Sequence, residues 1–292
     1  MSSTRAGWWF VTPALLAIAL FFLLPVLGGF GLSLTDFDIY TLADVHHLRF
    51  VGLRNYARLL DTPLFWRALA NTAFFVVAGV PASIATSLAT ALLLHSRLAR
   101  WSKVFRTALF APVVTTLVAV AVIWMCLLHT RYGMINYALS LVGVPRIDWL
   151  GDPHWAMPAI ALFAVWKNFG YNMVIFLAAL QAIPGDLYEA ARIDGATPAQ
   201  QLRFVTLPSL APTLLLVSLL TVAGYFQLFA EPYVMTQGGP LQSTTSVLYL
   251  MYEDGFQAWN LGSATAVAFV LFFLLLLLTR LQVALARRWS AA

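Results

Sequence analysis

The sequence predicts an all-α integral membrane protein with six transmembrane helices, and three observations lead there. Of the 292 residues, 61% are hydrophobic and only 10% are charged, where a soluble domain carries about 25% charged residues. Mean hydropathy is +0.82. Six apolar stretches, roughly 8–33, 70–94, 105–128, 156–182, 209–231 and 262–285, each reach the ~20 residues that a helix needs to cross a bilayer. The loops between them are short, so residues 1–292 read as a single transmembrane domain.

The elements follow in order. The apolar core of the first stretch outruns the ~7–15 residues of a signal peptide, so it reads as an uncleaved helix. Pro25 and the Gly28-Gly29 pair are expected to bend or loosen it. The longest loop, about 34–69, runs into "VGLRNYARLLDTPLFWRALANT". This pattern predicts an amphipathic helix lying on the membrane surface, with Phe65 and Trp66 turned toward lipid. Cys126 falls inside an apolar run and reads as packing. A lone thiol excludes a disulfide framework.

Charge sorts by loop. With the N-terminus inside, the inner segments hold ten basic residues (Arg5, Arg97, Arg100, Lys103, Arg106, Arg192, Arg203, Arg280, Arg287, Arg288) and three acids. The outer segments hold six basic residues (Arg49, Arg54, Arg58, Arg67, Arg131, Arg146) and nine acids. Positive charge favours the cytoplasmic side, which places both termini there. Lys167 is left near the middle of the fourth stretch. No basic stripe interleaved with aromatics suggests nucleic acid. No P-loop, metal-ligand spacing or Ser-His-Asp set is present, and His46-His47 reads as part of a polar loop. Energy for work across the membrane must come from an ion gradient or another subunit.

One polar block stands out, residues 184–208, containing "IPGDLYEAARIDGATPAQQLRF". It reads as two short helices. Pro184 opens the first, and Leu187, Tyr188, Ala191 and Ile193 give it an apolar side. Gly195 suits the left-handed conformation that ends a helix. Thr197 is a candidate N-cap with Pro198 at the first helical position of the second helix. Leu207-Pro208 is expected to break that helix before the fifth span. A short helix with an apolar ridge and one carboxylate suits docking into a partner's groove.

Glu189-Ala190-Ala191, then Gly195, then Leu207-Pro208 at the family's spacing resemble the EAA loop of ABC importer permeases; Val205 replaces the usual Ile, a mild departure. "FRTALFAPVVTTLVAVAVIW", "WLGDP" and "MTQGGPLQSTTSVLYLMYEDGF" are similar to segments of binding-protein-dependent sugar permeases of the maltose/glycerol-3-phosphate type, closest to the MalF-like or UgpA-like subunit. The resemblance implies a MetI-like permease core with a cytoplasmic EAA coupling helix, in a bacterial inner membrane. It assigns ATPase coupling to Tyr188, Glu189, Ala190, Ala191, Asp194, Gly195, Leu207 and Pro208. It also implies a second, MalG-like permease, two ATPase subunits and an extracytoplasmic sugar-binding protein. ATP and Mg would bind the ATPase; this chain would carry no cofactor and would not itself be an enzyme. The large periplasmic insert of enteric maltose permeases is absent from this sequence.

Polar residues within a span tend to face a cavity. Asn168, Tyr171 and Asn172 share a face at i, i+3, i+4, as do Thr221, Gly224, Tyr225 and Leu228, with Gln227 adjacent. Aligned through the EAA loop, Asn168, Tyr171, Thr221, Gly224, Tyr225 and Leu228 fall where maltose-type permeases contact sugar. Hydrogen bonding between spans would use the same residue types. Lys167 could attract a phosphate, pair with Glu231 or reach water. The mixture of polar and aromatic groups favours a neutral di- or oligosaccharide over glycerol-3-phosphate or another polyol or anionic solute. An ion-coupled secondary transporter would show inverted repeats and intramembrane carboxylates. No repeat is evident, and Glu231 is the one span carboxylate. A non-transporting receptor or scaffold would not need the EAA pattern.

Overall fold

The computed structural model describes residues 3–43, 48–96 and 101–290. His46-His47, Arg97 and Arg100 lie outside the described residues. Four helices among them are long and apolar enough to cross a membrane: Trp8–Ser33, Pro63–His95, Pro153–Ala182 and Leu261–Ala286. Two bent pairs raise the number to six if each is one span: Ser102–Val114 with Leu117–Leu127, bent by 101°, and Pro198–Ser209 with Ala211–Phe226, bent by 65°. The chain divides into two compact units, residues 1–66 with 250–274, and residues 67–249 with 275–292.

In the first unit, α1 (Ser3–Ile18) and α2 (Leu24–Ser33) join through a π-helical turn, Ala19–Leu23. Pro25 explains the turn. Its missing N–H leaves the preceding turn one donor short, and the Leu24 N–H closes the wider turn onto the Ala19 carbonyl. Two short helices follow, α3 (Ile39–Ala43) and α4 (Arg54–Asp61). α4 buries Asn55 and Leu59. The Asn55 amide donates to the carbonyls of Ser33 (2.9 Å) and Thr35 (2.8 Å), fastening α4 to the end of α2. Trp66 is exposed, but Phe65, expected to turn outward with it, is 1% exposed. The two rings meet edge to face, and the inner one is lost to the core.

The second unit holds most of α5 (Pro63–His95), then α6 (Ser102–Val114), α7 (Leu117–Leu127), α8 (Met134–Leu141) and α9 (Pro153–Ala182). Asp152 caps α9, and the hydrogen bond it accepts from the His154 backbone N–H holds its carboxyl below the usual range. α10 (Gly185–Ile193), α11 (Pro198–Gln201), a π-helical turn Leu202–Thr206 and α12 (Leu207–Ser209) form the polar block. α13 (Ala211–Phe226) and α14 (Ala230–Met235) follow. α15 (Val247–Tyr252) straddles the unit boundary, and α16 (Leu261–Ser290) gives its last part to this unit. Buried Ala91 and Leu94 of α5, Met173, Phe176, Leu177 and Leu180 of α9, and Leu210 and Val217 at α13 form one apolar cluster.

Three boundaries depart from expectation. The stretch 105–128 is two helices, because Thr115 and Thr116 are extended. Pro112 followed by the β-branched run Val113–Thr116 opposes helix there. The chain stays helical through Leu207-Pro208, and the bend falls at Leu210 instead. Pro212 is responsible, since it cannot donate to the Pro208 carbonyl one turn earlier. α13 then stops at Phe226, short of the expected Glu231. Cys126, expected to be packed, is exposed on α7.

Candidate functional site

All seven residues singled out as sugar contacts line one cavity of about 390 Å³ in the second unit: Asn168, Tyr171, Thr221, Gly224, Tyr225, Gln227 and Leu228. α9 supplies one wall and α13 with its C-terminal turn another. Phe75 of α5, Val113 at the end of α6, Ala164, Asn172, Leu220 and Glu231 of α14 complete it. A volume in the ligand-site range, with apolar walls and a few convergent polar groups, suits a small polar solute. Phe75 and Val113 carry no signal in the sequence, since neither belongs to a polar pattern.

The lining residues differ in what they can still offer. Tyr171 is 50% exposed, and Gln227 is exposed. Asn168 is half-buried, and its amide N–H donates to the Ala164 carbonyl within its own helix (3.0 Å). Thr221 is spoken for: its hydroxyl accepts from Asn172 at 3.0 Å, a bond between α9 and α13. Tyr225 is 5% exposed, and its ring stacks on Phe75 with centroids 4.9 Å apart. Gly79 makes room for that ring, since a Cβ there would come within 2.4 Å of it. The Tyr225 hydroxyl is directed toward Ser83 without meeting hydrogen-bond geometry. One face of Tyr225 is thus already occupied by Phe75.

Lys167 is buried, and its ammonium donates to the carbonyls of Pro112 (2.9 Å) and Thr115 (3.1 Å). These are carbonyls that lose their helical partners where α6 breaks. A cation at a helix C-terminus also meets the negative end of the helix dipole. Of the roles open to it from sequence, Lys167 takes one that none of them described, capping the broken third span.

A set of polar groups, Thr72, Thr245 and Ser246 among them buried, holds the loop that follows the cavity. Asn71 donates to the carbonyls of Gln242 and Thr245, both at 2.9 Å. The Ser246 hydroxyl donates to the Leu228 carbonyl, and the Val247 N–H to the Thr72 hydroxyl.

The polar block folds as its local chemistry dictates. Pro184 precedes α10 as its N-cap. Gly195 has φ +79°, with its N–H donating to the Arg192 carbonyl and the Ala196 N–H to the Ala191 carbonyl. That is a Schellman ending. Thr197 and Gln200 form a capping box with Pro198 in the first turn. The Tyr188 hydroxyl meets that of Thr206 at 3.0 Å and ties α10 to the helix that leads into α13. Glu189, Ala190, Asp194, Gly195 and Pro208 are exposed, while Tyr188, Ala191 and Leu207 are half-buried. Ile193, expected on the apolar side, is 88% exposed.

Spans that build a polar cavity, joined by a capped two-helix loop, define a multi-pass membrane transport protein. Residues 62–291 match the family described as binding-protein-dependent transport system inner membrane component, and the chain belongs to that family. It is a permease subunit of an ABC importer, a transport component and not the catalytic one. The lactose transport system permease protein LacF of Rhizobium radiobacter is 37% identical over 96% of this chain and 94% of its own length. The trehalose/maltose transport system permease protein MalF of Thermococcus litoralis is 35% identical over 94% of this chain and 91% of its own. A crystal structure of a bacterial ABC transporter involved in import of the acidic polysaccharide alginate shares the fold, with TM-score 0.80 at 23% identity over 97% of this chain and 96% of that one.

Proposed function

We propose that this chain is the translocation subunit of an ATP-driven importer for a neutral di- or oligosaccharide. One observation carries the reading: seven residues chosen from sequence as sugar contacts line a single cavity. The lactose and trehalose/maltose permeases among its relatives point to the same solute class. The glycerol-3-phosphate alternative loses its main support, because Lys167 is occupied by backbone carbonyls.

The geometry also supports a coupling route. α10 follows the last residue of α9 after only Ile183 and Pro184, and the Tyr188–Thr206 contact joins it to the base of α13. The two helices that carry most of the cavity's polar residues are therefore the two attached to the exposed block. An ATPase subunit gripping Glu189, Ala190, Asp194 and Gly195, and closing on ATP, would move both walls together. The remaining partners are a second permease, a second ATPase subunit and an extracytoplasmic binding protein. Both termini face the cytoplasm, as the loop charges indicate.

Uptake tests this reading. The system of two permeases, two ATPase subunits and the binding protein is reconstituted in liposomes and supplied with labelled lactose, maltose and trehalose. Asn168→Ala and Tyr171→Ala each reduce uptake of the transported sugar about two- to tenfold, the loss of one hydrogen bond of roughly 0.5–1.5 kcal/mol. ATPase co-purification is unchanged. Wild-type uptake by both variants would place the sugar path elsewhere.

A further inference from the structure

We infer that Gly79 of α5 is a positioning residue that sets the size of solute the cavity takes: it leaves a notch that holds the Tyr225 ring back, and a side chain there would restrict the cavity to smaller sugars. The inference rests on the cavity being the solute site proposed above. Gly79 is not among the lining residues; it acts through Tyr225, which is. A Cβ at Gly79 would lie 2.4 Å from Tyr225 Cε1, 2.9 Å from its Cδ1 and 3.6 Å from its Cζ. Phe75, one turn earlier on the same helix, stacks on the ring with centroids 4.9 Å apart. α5 thus offers one ring and one gap, and the Tyr225 ring occupies the gap.

A methyl group in that gap must displace the ring, because two carbons cannot share a contact that short. All three atoms belong to the side chain, so the ring can give way while α5 and α13 stay in place. Packing alone seats it, since the Tyr225 hydroxyl meets hydrogen-bond geometry with no described residue. Close-packed neighbours leave a displaced ring little room, and the open volume it borders is the cavity. At about 390 Å³ that volume sits near the lower end of the roughly 300–1,000 Å³ of small-molecule sites. A ring moved into it takes room that a solute needs.

Cavity size can be read without a sugar. In the full-length chain with Cys126→Ser, Gly224→Cys places a thiol on the cavity wall, where an added Cβ meets nothing within 4 Å. Its reaction rates with methyl methanethiosulfonate and with the bulkier benzyl methanethiosulfonate are measured, and the bulky-to-small ratio is divided by that of a free small thiol. Gly79→Ala should lower this ratio by about tenfold, the scale of forcing an oversized group into filled space. Adding Tyr225→Ala to Gly79→Ala removes the three clashing atoms and should return the ratio to at least its starting value. A ratio that Gly79→Ala leaves unchanged overturns the inference. So does a fall that Tyr225→Ala does not reverse, which would mean that the helices and not the ring had moved. If Gly79→Ala does not fold, the comparison passes to the Tyr225→Ala chain, in which Gly79→Leu meets no ring and projects into the vacated volume. The ratio should fall there too, and an unchanged ratio overturns the inference. Wild-type sugar uptake by Asn168→Ala and Tyr171→Ala would remove the solute site and leave the ratio standing, so the two readings fail separately.

Discussion

Gly170 on α9 lies against the backbone of α6, and Gly170→Ala should be costly out of proportion to one methyl group. A Cβ at this position would lie 2.4 Å from the Leu109 carbonyl oxygen and 3.2 Å from the Leu109 carbonyl carbon and the Phe110 Cα. All three atoms are backbone, so no side-chain rotation relieves the clash. A carbon–oxygen contact of at least ~3.3 Å requires the two helices to move apart by about 1 Å. Lys167 lies one turn before Gly170, and its bonds of 2.9 and 3.1 Å to the end of α6 would stretch toward loss. Overpacking of this kind costs roughly 1–3 kcal/mol, and each stretched bond to an ammonium adds on the order of 1 kcal/mol. Gly28→Ala is the control. Nothing lies within 4 Å of its added Cβ, and replacing a helical Gly by Ala gains about 0.5–1 kcal/mol. Thermal unfolding of the purified chain in detergent should shift down by several degrees for Gly170→Ala and not at all, or upward, for Gly28→Ala. An unfolding temperature at or above wild type for Gly170→Ala would refute the close-crossing argument.

Two further predictions concern coupling and topology. Gly195→Pro should abolish ATPase co-purification and sugar-stimulated ATP hydrolysis, because Pro cannot adopt the φ of +79° that ends α10; normal values for both would remove the docking assignment. In a Cys126→Ser background, Arg146→Cys should react with an impermeant thiol reagent added outside intact cells and Asp186→Cys should not, and the reverse pattern would invert the orientation.

Much of the fold was legible because its causes are local or generic. A bilayer demands about 20 apolar residues per helix, so the unbroken spans declare themselves in composition alone. The turn of the polar block is as readable, since Gly195, Thr197 and Pro198 act on their own backbone or on residues three away. Side chains three and four apart on a helix gather the cavity's polar residues onto two faces.

What tertiary structure alone decided are the places where one segment answers another far away in the chain. Phe65 and Trp66 are adjacent and chemically alike, yet packing buries one and leaves the other exposed. Tyr225 was chosen from sequence as a sugar contact, but Phe75 and Gly79, some 150 positions earlier, enclose its ring. Lys167 was ambiguous because the carbonyls it serves exist only once α6 has broken and packed on α9, 55 and 52 residues apart in sequence. Periodicity can say which residues share a helix face. It cannot say which partner that face will meet, because burial and hydrogen bonding of a side chain depend on the helix packed against it.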